Sequence, residues 1–378
     1  MRKILVVIER RADYSRYRSI LQKLKNDPFF KIHIVVTGIC LLKDHGSDIV
    51  HILEDGFEIN SKIPMFMENV DDSGAEMVRA MSRFMQAITY ELEKTKPDIV
   101  LSGFDIGANF AVTVTAAHMN IPVAHIQGGE ISGSIDESIR HAMSKFAHIH
   151  FPATELSKAR LVRMGENPKH IYVVGCPSID ALVSTPTITK SKLEEEFMVD
   201  FSQPVILMIQ HPVTTENTNA QKQINETLEA LKNINVQTII IFPNNDAGYS
   251  SIIKKIIHSP FKYYPTIPLD KYVNLLRNVS VLIGNSSSGI HEAATFKLPV
   301  VNIGTRQKGR ESAANILDVP YDTKRICDAI TKTLFDNTFR DSLKSLINPY
   351  GTGNTAEKIV QVLKTISLKG IVQKNFYE

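Results

Sequence analysis

The chain has 378 residues, 43% of them hydrophobic and 22% charged, and its 43 Lys+Arg against 40 Asp+Glu leave a formal net charge of +3. That length is more than one hydrophobic core usually serves, so two domains are expected. The balanced charge excludes bulk electrostatic binding of nucleic acid, and no apolar run reaches the ~18 residues of a membrane span, so neither nucleic acid nor membrane is expected as a partner. The three cysteines, Cys40, Cys176 and Cys327, stand far apart without C-x-x-C spacing, which fits a reducing, cytoplasmic setting.

In chain order, Lys3–Ile8 reads as a first buried strand; its apolar part is too short for the core of a signal peptide. A helix over Tyr17–Lys25 and a strand at His33–Thr37 follow, then a helix over Met77–Lys94. Pro97 resets the chain into a strand at Asp98–Leu101, followed by a helix at Ala108–His118. Strands are expected at Pro122–Ile126, Ile149–Phe151 and Ile171–Val174. The polar, Thr/Ser-rich stretch around 184–192 reads as a hinge between an N-terminal domain, residues 1–183, and a C-terminal domain, residues 193–378. Strands then recur at Val205–Ile209, Thr238–Phe242, Val281–Ile283 and Val300–Ile303, with helices at Asn225–Leu231, Asp270–Arg277 and Gly289–Phe296 between them. Helices over Arg325–Phe335 and Ala356–Ser367 close the second domain. Such alternation predicts two Rossmann-like α/β domains with parallel sheets, whose strand-end loops hold ligands. The dinucleotide fingerprint G-x-G-x-x-G is absent.

Three motifs carry candidate chemistry. Gly284-Asn285-Ser286-Ser287-Ser288-Gly289 lies between a strand and a helix bearing Glu292, an arrangement that suits a diphosphate or simply makes an N-capped turn. Gln210-His211-Pro212 puts a histidine at a strand end, as a phosphate donor, a proton carrier or a bystander. The segment His125–His141 contains Gly128-Gly129 and two pairs with helical i,i+4 spacing, Asp136/Arg140 and Glu137/His141. These read either as surface ion pairs or as a catalytic acid beside a cation. Arg11, Asn244 and Arg306 also follow strands and are candidate ligand contacts. No Cys/His cluster has metal-ligand spacing, so no metal and no cofactor is expected.

RADYS at Arg11–Ser15, HIQGGEISGSIDESIRH at His125–His141, QHPVTT at Gln210–Thr215, FPNNDAG at Phe242–Gly248, IGNSSSG at Ile283–Gly289 and NIGTRQKGR at Asn302–Arg310 occur in this order. Together they resemble the hydrolysing UDP-N-acetylglucosamine 2-epimerases, and the likeness runs over nearly the whole chain. The resemblance implies a GT-B arrangement of two Rossmann domains with the active site in the interdomain cleft, and a dimer or tetramer in solution. It implies a UDP-amino-sugar substrate, loss of UDP from C1 with a proton from C2, and water addition to the resulting 2-acetamidoglucal. The product would be N-acetylmannosamine, destined for sialic-type nonulosonic acids. By matching motif, Arg11, Ser15, Gln127, His211, Asn244, Asp246, Ser286, Ser287, Glu292 and Arg306 would hold the substrate or its UDP. Asp105, Glu130, Asp136, Arg140 and His211 would form the catalytic neighbourhood.

Two departures stand out. The family commonly reads Gly-Asp-Arg after the strand, where this chain reads Ser102-Gly103-Phe104-Asp105-Ile106. Gln127 occupies a place often held by Glu, and an amide exchanges no proton at neutral pH. Both leave the reaction class in place and open the choice of sugar, UDP-2,4-diacetamido-2,4,6-trideoxyglucose being the alternative. A glycosyltransferase of the same fold and a UDP-sugar-binding protein without chemistry are the readings from other classes.

Overall fold

The computed structural model describes residues 1–42, 49–67, 73–104 and 107–378, apart from the side chain of Arg11. Its chain divides into two units. The first comprises Met1–Glu130, Ile135–Val183 and Tyr350–Glu378, and the second comprises Ile131–Ser134 and Ser184–Pro349.

The first unit runs β1 (Arg2–Ile8), α1 (Arg11–Asn26), β2 (Phe30–Val36), α2 (Ile49–Glu54), β3 (Ser61–Lys62), α3 (Gly74–Thr95), β4 (Ile99–Gly103), α4 (Gly107–His118), β5 (Val123–Ile126), α5 (Ile135–Phe146), β6 (Ile149–Phe151), α6 (Glu155–Arg163) and α7 (Pro177–Ser184). All strand pairs are parallel, in the order β3-β2-β1-β4-β5-β6 among the described residues. β1 is buried on both faces from Ile4 onward, which is why it reads as an unbroken Val/Ile/Leu run rather than an alternating one. Ile4, Val6 and Ile8 join the core under α1, while Leu5 and Val7 join the core under α3 and α4.

The second unit runs α8 (Lys190–Phe197), β7 (Val205–Ile209), α9 (Ala220–Ile234), β8 (Gln237–Ile241), α10 (Tyr249–Ile257), β9 (Lys262–Tyr264), α11 (Leu269–Asn278), β10 (Val281–Gly284), α12 (Ser287–His291), β11 (Val300–Ile303), β12 (Ile316–Val319), α13 (Thr323–Phe335) and α14 (Asn337–Ser342). Its sheet order is β12-β11-β10-β7-β8-β9, again all parallel. Read from the other edge, this is the same doubly wound order as in the first unit. The strand order therefore reverses between β1 and β4 in one unit and between β7 and β10 in the other. Ligands of such sheets sit beyond the carboxyl ends of the strands at that point.

Three sequence expectations change. Helix α15 (Thr355–Thr365), assigned above to the second domain, belongs to the first unit. Its apolar face of Ala356, Ile359, Val360 and Leu363 joins Tyr17, Leu21 and Leu24 in the first core. Asp180 of α7 accepts from Thr355 N at 2.9 Å and Ala356 N at 2.7 Å, placing a carboxylate at the positive end of α15. Periodicity announces such a helix but not the sheet it covers. Ile171–Val174 is not a strand: Ile171 makes one isolated bridge with His150, and neighbouring Pro152 has no N–H to continue a ladder. The single helix expected at Gly289–Phe296 is α12 followed by a 3-10 turn at Ala293–Phe296.

Candidate active site

In the second unit, the loops after β7 and β10 are tied together by Asn285. Its buried side chain accepts from His211 N at 2.7 Å and donates to His211 O at 2.9 Å. The strands approach so closely that a Cβ on Gly284, at φ +115°, would lie 2.1 Å from Ile209 O, so only glycine serves there. The Asn285 carbonyl in turn accepts from Arg306 Nη1 at 3.2 Å and Gln307 Nε2 at 2.8 Å. The guanidinium is thereby drawn to the mouth of β10.

The ring of His211 is buried and held at Nδ1 by the backbone N–H of Asn244, 3.0 Å away. A neutral imidazole accepting at Nδ1 carries its proton on Nε2, so it presents a donor. Ser286 is the N-cap of α12, accepting from Ser288 N at 3.3 Å, and Ser286 and Ser287 remain half-buried at its first turn. Ser288 donates to the Glu292 carboxylate at 2.5 Å and accepts from Tyr272 OH. Burial first, and the Glu292 charge second, raise the Tyr272 phenol, which therefore stays protonated beside Ser288. Asp246 follows β8 on the loop to α10 and is half-buried.

In the first unit, Gln127 directly follows β5 and is a non-glycine residue at φ +61°. Its Nε2 donates to the Glu130 carboxylate at 3.0 Å, and both side chains are buried. Gly129 follows at φ +81°, where a Cβ would lie 2.3 Å from Ser157 O. Arg140 of α5 has 0% exposure and donates to Glu130 O at 2.8 Å. The surface-pair reading of Asp136 and Arg140 is therefore corrected for Arg140, whose burial belongs to an organised polar group. The other pair, Glu137 and His141, stands at 3.9 Å, half-buried. Asp136 is half-buried in the first turn of α5.

After β1, Asp13 of α1 is fully buried, accepts from Arg10 N at 2.8 Å and pairs with the Arg10 guanidinium at 3.6 Å. Burial pushes the Asp13 carboxyl up while Arg10 pulls it down, and burial prevails. Ser15 spends its hydroxyl donor on Ala12 O at 2.8 Å. Phe104, after β4, adopts φ +71° and inserts its ring beside Tyr17 and Arg16 at 4.8 and 5.0 Å. Asp105 and the side chain of Arg11 lie outside the described residues.

The structure thus brings together Gln127, Glu130 and Arg140 in the first unit. In the second it gathers His211, Asn244, Asn285 and Arg306, with Ser286, Ser287 and Glu292 on the adjoining turn. Sequence reasoning passed over Asn285, which organises that second group, and Arg310, whose Nη1 lies 3.1 Å from His291 Nε2. Arg310 lines a cavity of about 380 Å³ with Gln307, Lys308, Asp318 and Tyr321. Both stood inside the quoted motifs, as the Asn of IGNSSSG and the last Arg of NIGTRQKGR.

The family model for UDP-N-acetylglucosamine 2-epimerase matches residues 22–364. The chain belongs to the UDP-N-acetylglucosamine 2-epimerase family. As a member it is a UDP-sugar 2-epimerase. It is 36% identical over 97% of both chains to the UDP-N,N'-diacetylbacillosamine 2-epimerase (hydrolyzing) of Legionella pneumophila. With the UDP-N-acetylglucosamine 2-epimerase of Neisseria meningitidis it shares 30% identity over 100% of this chain and 99% of the other. Among solved structures it is similar to a UDP-GlcNAc 2-epimerase from Neisseria meningitidis bound to UDP-GlcNAc, with TM-score 0.82, 20% identity and coverage of 96% of this chain and 99% of that one. Among the described residues no helix is long and apolar enough to cross a membrane.

Proposed function

We propose that this epimerase is of the hydrolysing kind and acts on a UDP-2-acetamido sugar. UDP leaves C1 as a proton leaves C2, giving a 2-acetamidoglucal. Water then adds across that double bond, its oxygen at C1 and a proton at C2 from the opposite face, giving the free 2-epimer and UDP. The reading is supported by the second unit's group, where the Nε2–H donor of His211, the Arg306 guanidinium and the hydroxyls of Ser286 and Ser287 suit a departing diphosphate. Glu292 is assigned to the ribose or base side of UDP. Asn244 and Asp246 are assigned to the same nucleotide, as are Arg11 and Ser15.

Proton transfer is assigned to Glu130, Asp136 and Asp105, with Arg140 fixing the backbone at Glu130. Gln127 cannot take a proton, but it holds the Glu130 carboxylate and contacts the sugar. Of the two candidate sugars we favour UDP-2,4-diacetamido-2,4,6-trideoxyglucose. The observation that favours it is the 36% identity to the Legionella enzyme against 30% to the Neisseria one. In the cytoplasm, such a product feeds legionaminic-type rather than sialic acids.

The deciding experiment incubates the protein with each UDP-sugar in turn and follows products by NMR. Free 2-epimer plus UDP, formed faster from the diacetamido sugar, is expected. A UDP-linked epimer sinks the hydrolysing assignment, and faster turnover of UDP-N-acetylglucosamine reverses the choice of sugar. Asp105→Asn should lower turnover by about a hundredfold or more, the usual scale for losing an acid–base group. UDP affinity should stay within a few-fold in that variant.

A further inference from the structure

The segment Gly370–Glu378 is fastened to the first unit at the carboxyl end of α5. Lys374 Nζ donates to the carbonyls of Ser144, Lys145 and Ala147 at 2.9, 2.8 and 2.7 Å. These carbonyls lie at the end of the helix and just beyond it, where acceptors lack intrahelical donors and a cation suits the dipole. The same ammonium lies 2.5 Å from the Glu166 carboxylate, whose side chain has 0% exposure. Lys145 Nζ and His150 Nε2 surround that carboxylate at 2.7 and 2.9 Å.

Two further contacts fix the segment. Tyr377 N donates to Gly165 O at 2.9 Å. Phe376 lies over Gly165, where a Cβ would stand 2.2 Å from the ring, and Lys145 Nζ lies 5.4 Å from the ring centroid.

The fastening reaches the candidate site through one residue. The carbonyl of Ser144 holds Lys374, while its hydroxyl lies 3.1 Å from His125 Nδ1 on β5 and 3.1 Å from Arg140 O. One turn earlier on the same helix, Arg140 holds Glu130. A cation from this distant stretch of sequence, a buried β5 histidine and the Glu130 loop are thus joined through α5.

We propose that Lys374 is a positioning residue, which by capping α5 and clamping it to Glu166 keeps Asp136 and Arg140 in register for proton transfer. The inference rests on the reading that α5 carries reacting groups. Misplacement of such groups by about 1 Å can cost a hundredfold in rate, so a loosened helix end has a kinetic signature.

The test compares Lys374→Met and Lys374→Arg with the unaltered full chain. Hydrogen exchange at the amides of residues 143–147, kcat, KM and UDP affinity are measured on each. Lys374→Met should speed exchange there about tenfold or more and lower kcat about tenfold. KM and UDP affinity should stay within about twofold, and Lys374→Arg should restore both exchange and kcat. Unchanged exchange overturns the cap. Faster exchange with unchanged kcat makes Lys374 a mere anchor and overturns the positioning role. If the unaltered protein turns over neither UDP-sugar, the functional reading fails and the kinetic role with it, while the exchange result still decides the cap.

Discussion

The backbone N–H of Asn244 points at Nδ1 of His211, 3.0 Å away, and so decides which ring nitrogen of the histidine carries the proton. In the neutral protein, ¹⁵N–¹H NMR should show His211 protonated at Nε2 and bare at Nδ1. A protonated Nδ1 in the neutral ring would contradict the assignment. His211→Ala should weaken UDP about tenfold or more, as expected for loss of a hydrogen bond to a charged group.

Asn285→Ala removes two buried hydrogen bonds and leaves the N–H and carbonyl of His211 without their side-chain partner. We expect a loss of about 2–4 kcal/mol in denaturant unfolding, taking roughly 1–2 kcal/mol for each group left unmatched. UDP affinity should fall as well, because the loops after β7 and β10 are no longer tied together. A stable variant with normal UDP affinity would show that the tie is dispensable.

Gln127→Glu places a second carboxylate about 3.0 Å from that of Glu130. Two carboxylates at that separation cannot both ionise freely, so one must hold its proton to higher pH. The kcat/KM profile of the variant should gain an acidic-side dependence displaced upward relative to the parent. An identical profile would mean that the two side chains part in solution.

Acid stability should fall in two windows. Burial lowers His148 to about 4, with its Nδ1 accepting from Val123 N at 3.1 Å, and His125, His150 and His170 are also lowered, chiefly by burial. The unfolded chain takes up these protons near 6.5 while the folded chain resists, so stability is complete above 6.5 and lost as pH falls toward 4. For Glu166, burial pushes the carboxyl up, but His150, Lys145 and Lys374 outweigh it and hold it at about 2. Its contribution is complete above its ordinary 4.5 and disappears as pH falls from there toward 2. Thermal melts should show Glu166→Gln less stable at neutral pH but flatter below 4.5. His148→Gln should flatten the first window in part.

Much of the sheet was legible because its central strands are buried on both faces. Val205–Ile209 is an apolar run entered through Pro204, Val300–Ile303 is apolar but for Asn302 and entered through Pro299, and the strands match both. The loops after β7 and β10 were legible for a related reason, since strand ends of a doubly wound sheet collect ligand groups. Arg140 was not legible as a buried residue: helical spacing gives the angle around α5 but not the depth of its neighbours. The left-handed backbone at Phe104 and Gln127 was hidden as well, because neither residue type announces a positive φ. Asn285 escaped because its role is to bind backbone of another strand, a partnership that appears only once β7 and β10 are side by side.

The return of α15 and Lys374 to the first unit carries a consequence for synthesis. The ribosome completes residues 184–349 of the second unit before it makes the helix and the ammonium that finish the first. Until then the core around Tyr17, Leu21 and Leu24 lacks one wall, and Glu166 lacks one of its two ammonium partners. The nascent first unit should therefore stay protease-sensitive and chaperone-bound while the second, downstream in sequence, already folds, reversing the usual order in which domains mature from the N-terminus.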